Sequence, residues 1–182
     1  MQFTYDPDRK TLTGADHLLV VAPKTCFGPR TRGAGALAKW LPPELAKLAL
    51  QLGEEATPGL LGGLATSRTP DGKRLTMAVL HDTPSRHAAP SRAEAIRKVV
   101  AAAGLHGTSS VLLLLDDAAH VLAAVNAVGR ALPTYGRKQG AKRDGKLAVR
   151  CVLPDGTKVR ETVGFVEAED VLPVMKSIPG AT

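Results

Sequence analysis

Two short, uninterrupted runs of apolar residues stand out in the hydrophobic pattern of the chain. Residues 17–22 are His-Leu-Leu-Val-Val-Ala, between Gly14 and Pro23, and residues 111–115 are Val-Leu-Leu-Leu-Leu. Runs of this length without polar alternation are typical of strands that are covered on both faces, as in parallel sheets. Both segments are therefore predicted to be central strands.

Segments whose apolar residues recur at helical spacing lie between the two predicted central strands. Residues 43–52 begin with a proline and precede Gly53, which favours a helix that this glycine closes. Ser91-Arg92-Ala93-Glu94 has the pattern of a capping box, and apolar residues recur behind it at helical spacing until Gly104. The pattern predicts a helix at each place.

A third long helix is predicted after the second central strand. Asp116 or Asp117 is placed to cap it, an apolar stripe runs through residues 118–132, and Pro133 stops it. A last short helix is predicted over residues 168–177.

Shorter strands complete the expected sheet. They are predicted over residues 2–5, 60–67, 74–80, 146–153 and 158–165. Thr69-Pro70-Asp71-Gly72 and Pro154-Asp155-Gly156 separate two pairs of them, as hairpin turns require. Residues 24–35 and 139–145 are predicted to be loops. Alternating strands and helices predict an α/β fold in which helices flank a mixed sheet.

Composition narrows the class of protein. A chain of 182 residues with 44% hydrophobic and 23% charged residues fits a single folded domain over residues 1–182. Aromatic residues make up only 3%, so Ala, Val and Leu must form the core. Two distant cysteines, Cys26 and Cys151, exclude a disulfide framework. The start of the chain lacks the features of a signal peptide, and no apolar run could span a bilayer, so we expect a cytoplasmic protein with no membrane partner.

No complete set of catalytic residues is found in the sequence. The HExxH and GxSxG motifs are absent, and the five histidines never form a pair four residues apart. His81, Asp82 and His87 form only a loose group. We therefore predict no catalytic residue, no metal and no cofactor.

Gly33-Ala34-Gly35-Ala36-Leu37-Ala38 matches the GxGxxA pattern of dinucleotide-binding loops. Such glycines must directly follow a strand and open a helix, yet ten residues separate Ala22 from Gly33 and two prolines follow at 42 and 43. A weaker prediction remains, in which this loop holds a phosphate through Arg30, Arg32, Gly33 and Gly35.

Asp116 and Asp117 follow the second central strand directly. Ligands of open α/β sheets gather at the carboxyl ends of the strands, which makes both aspartates candidate ligand-binding residues. A cap of the following helix explains both residues without any ligand, and we favour that interpretation.

The net charge of +7 is concentrated in one segment. Residues 130–160 contain nine basic and two acidic residues, so the rest of the chain is neutral. This asymmetry is expected of a surface that binds the phosphate backbone of nucleic acid. A solvated hairpin that keeps the protein soluble explains it as well. The candidate nucleic-acid-binding residues are Arg130, Arg137, Lys138, Lys142, Arg143 and Lys146.

The order of elements over residues 16–150 is similar to the N-terminal domain of the leucyl aminopeptidase (M17) family. The similarity rests on the strand at 17–22, the helix at 41–53, the hairpin at 60–80 and the Ser91–Lys98 segment. It continues through the strand at 111–115 to a helix that runs into Leu-Pro-Thr-Tyr-Gly-Arg-Lys at 132–138. The tail departs from the family, because residues 146–177 are predicted to be a hairpin and a short helix.

This resemblance implies a macro-domain-like, three-layer α/β/α fold and a non-catalytic domain. In the family this domain packs against the peptidase domain, helps to build the hexamer and in some members contributes to DNA binding. The family's metal ligands belong to the catalytic domain, whose Asn-Thr-Asp-Ala-Glu-Gly-Arg stretch has no match in these 182 residues.

We therefore expect a non-catalytic module that binds a protein partner or associates with itself. Nucleic-acid backbone binding through residues 130–160 is an alternative, and nucleotide or ADP-ribose binding in a macro-like cleft is a second.

Overall fold

The computed structural model of the chain describes residues 2–27, 33–59, 62–82, 90–132 and 145–159. The strands in this part are β1 (Gln2–Tyr5), β2 (His17–Pro23), β3 (Gly63–Arg68), β4 (Arg74–Leu80), β5 (Thr108–Leu114) and β6 (Lys146–Val152). The α-helices are α1 (Arg9–Gly14), α2 (Gly33–Trp40), α3 (Pro43–Glu55), α4 (Ala93–Ala102) and α5 (Val121–Ala131). Two 3-10 turns cover Lys24–Cys26 and Ala118–His120.

The six strands form one mixed sheet in the order β1-β6-β5-β2-β4-β3. All neighbours are parallel except β3, which runs antiparallel to β4 after the predicted hairpin turn. The two predicted central strands, β2 and β5, are direct neighbours, with Leu19 opposite Val111. Both are buried, as their unbroken apolar runs predict.

Helices cover both faces of the sheet. Leu18 and Val20 of β2 pack with the apolar residues of α1, α2 and α3, whereas Leu19 and Val21 pack with those of α4 and α5. Strand residues alternate between faces, so an apolar run supplies both layers at once. The predicted α/β fold with three layers is confirmed, and the core of the described residues contains only two buried aromatic side chains, Phe27 and Trp40.

Two helices were not predicted. Asp8 caps α1 by accepting a hydrogen bond from the Thr11 amide at 2.7 Å, and the helix has a single buried residue, Leu12. Helix α2 begins at Gly33, inside the segment that was predicted to be a loop. The expectation that the glycines of the GxGxxA match do not open a helix is therefore wrong.

Two predicted helix boundaries are also wrong. Helix α3 continues to Glu55, so Gly53 lies within it and does not end it. A side chain at position 53 would collide with the ring of Phe27, which explains the glycine. The predicted capping box does not form: Arg92, with a φ of 52°, is the N-cap of α4 and makes no side-chain cap bond. Glu94 instead accepts two hydrogen bonds from Arg97, at 2.9 and 2.7 Å.

The chain turns after β6 at the predicted Pro-Asp-Gly sequence. The Gly156 amide donates to the Leu153 carbonyl at 2.8 Å, and Val152 bridges Lys158 in antiparallel fashion. Residues 160–165 of the strand predicted over 158–165, and the helix predicted over 168–177, lie outside the described residues. The hairpin-plus-helix tail therefore stays a prediction. None of the helices in the described ranges has the length and apolar character needed to cross a membrane.

Candidate functional site

The carboxyl ends of the five parallel strands meet at one edge of the sheet. Asp116 lies here, two residues after β5, and Asp82 lies two residues after β4. The 3-10 turn that follows β2 is attached to them, because the Thr25 amide donates to Asp82 Oδ1 at 2.7 Å. The structure thus places Asp116 where ligands of open α/β sheets commonly bind.

Arg92 occupies this edge, and sequence reasoning missed it. Its Nε donates to the His81 carbonyl and its Nη2 to the Asp82 carbonyl, both at 3.0 Å, while Nη1 forms an ion pair with the Asp116 carboxylate. The guanidinium therefore ties the loop after β4 to the end of β5. These three bonds explain the left-handed backbone of Arg92, since that conformation is costly without such anchoring.

The two predicted aspartates have structural roles. Asp116 neutralises Arg92, and Asp117 accepts a hydrogen bond from the Ala119 amide at 2.9 Å, which caps the turn that leads into α5. The alternative interpretation of Asp117 as a helix cap is thus confirmed. Neither carboxylate is left without a protein partner.

The glycine-rich segment lies next to the same edge. A side chain at Gly33 would overlap Cys26, so close packing requires glycine there, whereas Gly35 has open space around its Cα. Burial, with a smaller contribution from the nearby Asp116 and Asp82, raises the pKa of the Cys26 thiol to about 12. Arg30 and Arg32 lie outside the described residues, so phosphate binding by this segment stays a prediction.

The structure describes only part of residues 130–160, the segment that holds the net positive charge. Arg130 lies in the last turn of α5 and Lys146 begins β6, and both are exposed. The other four candidate nucleic-acid-binding residues, Arg137, Lys138, Lys142 and Arg143, lie outside the described ranges.

Arg150, which contributes to the charge of that stretch, is fully buried in β6. Its guanidinium lies 4.5 Å from the centre of the Trp40 ring and pairs with Asp6 through Nη1. Burial lowers the pKa of Arg150, and Nε and Nη2 have no hydrogen-bond partner among the described residues. Arg150 therefore belongs to the core and not to a polyanion-binding surface.

The opposite edge of the sheet, where β2, β4 and β5 begin, contains two cavities that the sequence did not predict. The larger has a volume of about 670 Å³ and lies between α3 and the hairpin of β3 and β4. The smaller, of about 260 Å³, is lined by Asp16, His17 and His106 among others. Arg68 and Arg74 line both cavities.

His17 is the buried titratable group at this edge. Its Nε2 lies 2.9 Å from Thr76 Oγ1, whereas Nδ1 is buried without a partner in the described residues. Burial, and then the positive charges of Arg74 and His106, lower the pKa of His17 to about 4. His17 is thus a neutral core histidine at physiological pH.

No group of three or more metal-ligating side chains occurs in the described part of the chain. His87, one member of the loose His81 group, lies outside it.

The fold defines a three-layer α/β/α domain in which Arg92 and Asp116 form an ion pair at the carboxyl ends of the strands. The chain belongs to the family of M17 aminopeptidase N-terminal domain 2, because the model of that family matches residues 35–141. The expected resemblance to this domain of the M17 family is confirmed over residues 35–141, while the wider bounds of 16–150 stay a prediction.

One solved structure gives an independent comparison of the fold. It is that of leucyl aminopeptidase from Leishmania major in complex with actinonin, which the chain resembles over 82% of its own length with a TM-score of 0.59 and 24% identity. The chain spans 28% of the length of that aminopeptidase. No curated protein matches the sequence.

Proposed function

We propose that this domain has no peptidase activity of its own and acts as a binding and assembly module, either for an M17 catalytic domain or for further copies of itself. Membership of the M17 N-terminal domain family is the observation that carries the proposal.

An exposed apolar residue offers a point at which to test assembly. Leu122 is 52% exposed on α5, and the one other large hydrophobic residue with comparable exposure in the described part is Leu64, at 38%, on edge strand β3. Single exposed apolar residues are common on monomers, so Leu122 identifies a surface to perturb and not an interface.

Size-exclusion chromatography with light scattering tests self-association, and affinity capture from a native lysate followed by mass spectrometry tests for an M17 peptidase partner. We expect a multimer or a captured M17 catalytic domain, and Leu122→Asp should weaken whichever complex forms through α5. Ala101→Asp, at an exposed position of α4, is the matched control. A strict monomer that captures no M17 peptidase would contradict the proposal.

Hydrolysis of leucine p-nitroanilide with added Mn²⁺ or Zn²⁺ tests the non-catalytic part of the proposal. We expect a rate equal to the blank. Metal-dependent turnover by the purified 182-residue chain would refute it.

Nucleic-acid backbone binding is a second candidate, favoured by the concentration of net charge in residues 130–160. The buried Arg150 should not take part, since its guanidinium already pairs with Asp6.

Fluorescence anisotropy with mixed-sequence duplex DNA between 20 and 200 mM salt measures this activity, and binding should weaken steeply as salt rises. Charge reversal at Arg137, Lys138, Lys142 and Arg143 should abolish it. Charge reversal at four exposed lysines outside the stretch should preserve it: Lys10, Lys39, Lys47 and Lys98. No binding at the lowest salt would exclude this candidate.

A further inference from the structure

The two cavities at the amino-terminal edge of the sheet lie apart from the carboxyl edge, where the loops after β4 and β5 meet. The larger, of about 670 Å³, falls within the size range of small-molecule sites. Arg68 at the end of β3 and Arg74 at the start of β4 line both spaces. A ligand in either cavity would therefore lie beside the same two arginines.

The walls of the larger cavity are largely apolar. Leu18 and Leu75 come from the sheet, and Leu45 and Leu48 come from α3. The two α3 leucines are partly buried against the core that α1, α2 and α3 share. This wall can cover an aliphatic body of a ligand and remove it from water.

The rim of the same cavity has an excess of positive charge. Lys47, Arg68, Lys73 and Arg74 line it, against the two carboxylates of Glu44 and Asp71. Lys73 is already paired with Asp71 at 3.2 Å, so it does not add to the free charge.

The side chains of Arg68 and Arg74 form no ion pair with the residues that the structure describes. The Arg74 side chain makes no hydrogen bond with these residues, although its backbone amide donates to the Asp16 carbonyl at 2.9 Å, and the Arg68 side chain donates to the Gly72 carbonyl at 3.2 Å. In the smaller cavity the single carboxylate is Asp16. Arg74 lies close enough to buried His17 to help, after burial, to lower the pKa of that residue.

We propose that this edge is a binding site for a small amphiphilic anion. Arg68 and Arg74 hold its carboxylate or phosphate head, and its aliphatic body lies along Leu45, Leu48 and Leu75. Arginine suits both head groups because its planar guanidinium can donate two parallel hydrogen bonds to either.

Isothermal titration calorimetry with a homologous series tests the site. Butanoate, hexanoate and octanoate should bind with one-to-one stoichiometry, and the affinity should rise about fourfold for each methylene that enters the apolar wall. 1-Hexanol, which has the body without the charge, should bind at least ~10-fold more weakly than hexanoate. Hexyl phosphate, compared with hexanoate, shows which head group the arginines prefer.

Variants separate this site from nonspecific binding. Arg74→Gln should weaken hexanoate about 10-fold or more, and Arg68→Gln, at an exposed position of the edge strand, gives the same test if Arg74→Gln does not fold. Leu48→Asn should remove the dependence on chain length. Arg97→Gln, on α4 and paired with Glu94, is the control that should bind as the unmodified chain does.

A lack of saturable binding by octanoate and by hexyl phosphate would overturn the proposal. So would equal affinities for hexanoate and hexanol, or arginine variants that bind as tightly as the Arg97→Gln control.

Discussion

Asp6 and Arg150 form a buried ion pair, and we expect substitution of the aspartate to destabilise the fold more than substitution of the arginine. Asp6→Asn removes the carboxylate that pairs with Arg150 and keeps the backbone, since asparagine tolerates the φ of 57° at this position. Arg150 would then be a fully buried cation with three donor nitrogens lacking a charged partner. Breaking a buried pair in this way costs about 3–5 kcal/mol.

Solvent reduces this figure, because the side chain of Asp6 is 37% exposed. We therefore expect Asp6→Asn to lower the free energy of unfolding by about 2–3 kcal/mol. Arg150→Met removes the buried charge together with its two unpaired donors, although it loses about 1–2 kcal/mol of stacking on Trp40. Its stability should lie within about 1 kcal/mol of the unmodified chain.

Urea unfolding followed by far-UV circular dichroism measures these values, and the fluorescence of Trp40, the only tryptophan, reports on the same site. The double variant should be about as stable as Arg150→Met, because asparagine then faces no cation. Glu94→Gln, which breaks a surface pair, is the control and should change little. If Arg150→Met proves more damaging than Asp6→Asn, the pair stabilises the fold outright and the reasoning is refuted.

Three further predictions concern packing, pH and reactivity. Gly53→Ala should destabilise the fold by about 1–3 kcal/mol through overlap with Phe27, whereas Gly35→Ala, with open space, should leave it unchanged or up to about 1 kcal/mol more stable. Since the pKa of folded His17 is about 4, below its usual 6.5, the folded state binds fewer protons and stability falls as pH drops through this window. The free energy of unfolding should fall by about 2 kcal/mol between pH 7.5 and 5, and His17→Gln should abolish this part of the dependence. Burial raises the pKa of both cysteine thiols to about 12, so a thiol reagent at neutral pH should label them only after unfolding.

Each of these predictions has an outcome that contradicts it. Equal effects of the two glycine substitutions would remove the steric explanation for Gly53. A pH dependence that is unchanged in His17→Gln would assign it to other groups. Rapid labelling of the native chain would show that the thiols are accessible.

The two central strands could be predicted because a strand that is buried on both faces has an unbroken run of apolar residues. Residues 17–22 and 111–115 are apolar at every position or nearly so, and both form strands at the middle of the sheet. Helix α1 has no apolar pattern that would predict it, since Leu12 is its single buried residue. Helix α2 was missed because glycine disfavours helices, and only packing on Cys26 explains Gly33.

Tertiary bonds explain the failures at the candidate site. The predicted capping box does not form because Arg92 is bound to the carbonyls of His81 and Asp82 and to the carboxylate of Asp116. Local sequence cannot reveal these contacts. The burial of Arg150 could not be predicted from the count of basic residues in 130–160, because its partner Asp6 is 144 residues away in sequence. The cavities at the amino edge are lined by residues from α3, β2, β3 and β4 that share no motif.

The pairing of β1 with β6 joins the first strand of the chain to one that is made 144 residues later, with Gln2 opposite Lys146. On the ribosome β1 is made before the other five described strands, and its partner among them, β6, is made last. We therefore expect β1 to dock last and substitutions at Phe3 to speed unfolding with little effect on the folding rate. Until that moment Arg150 lacks Asp6, so the arrival of β1 both completes the sheet and neutralises the charge beneath Trp40.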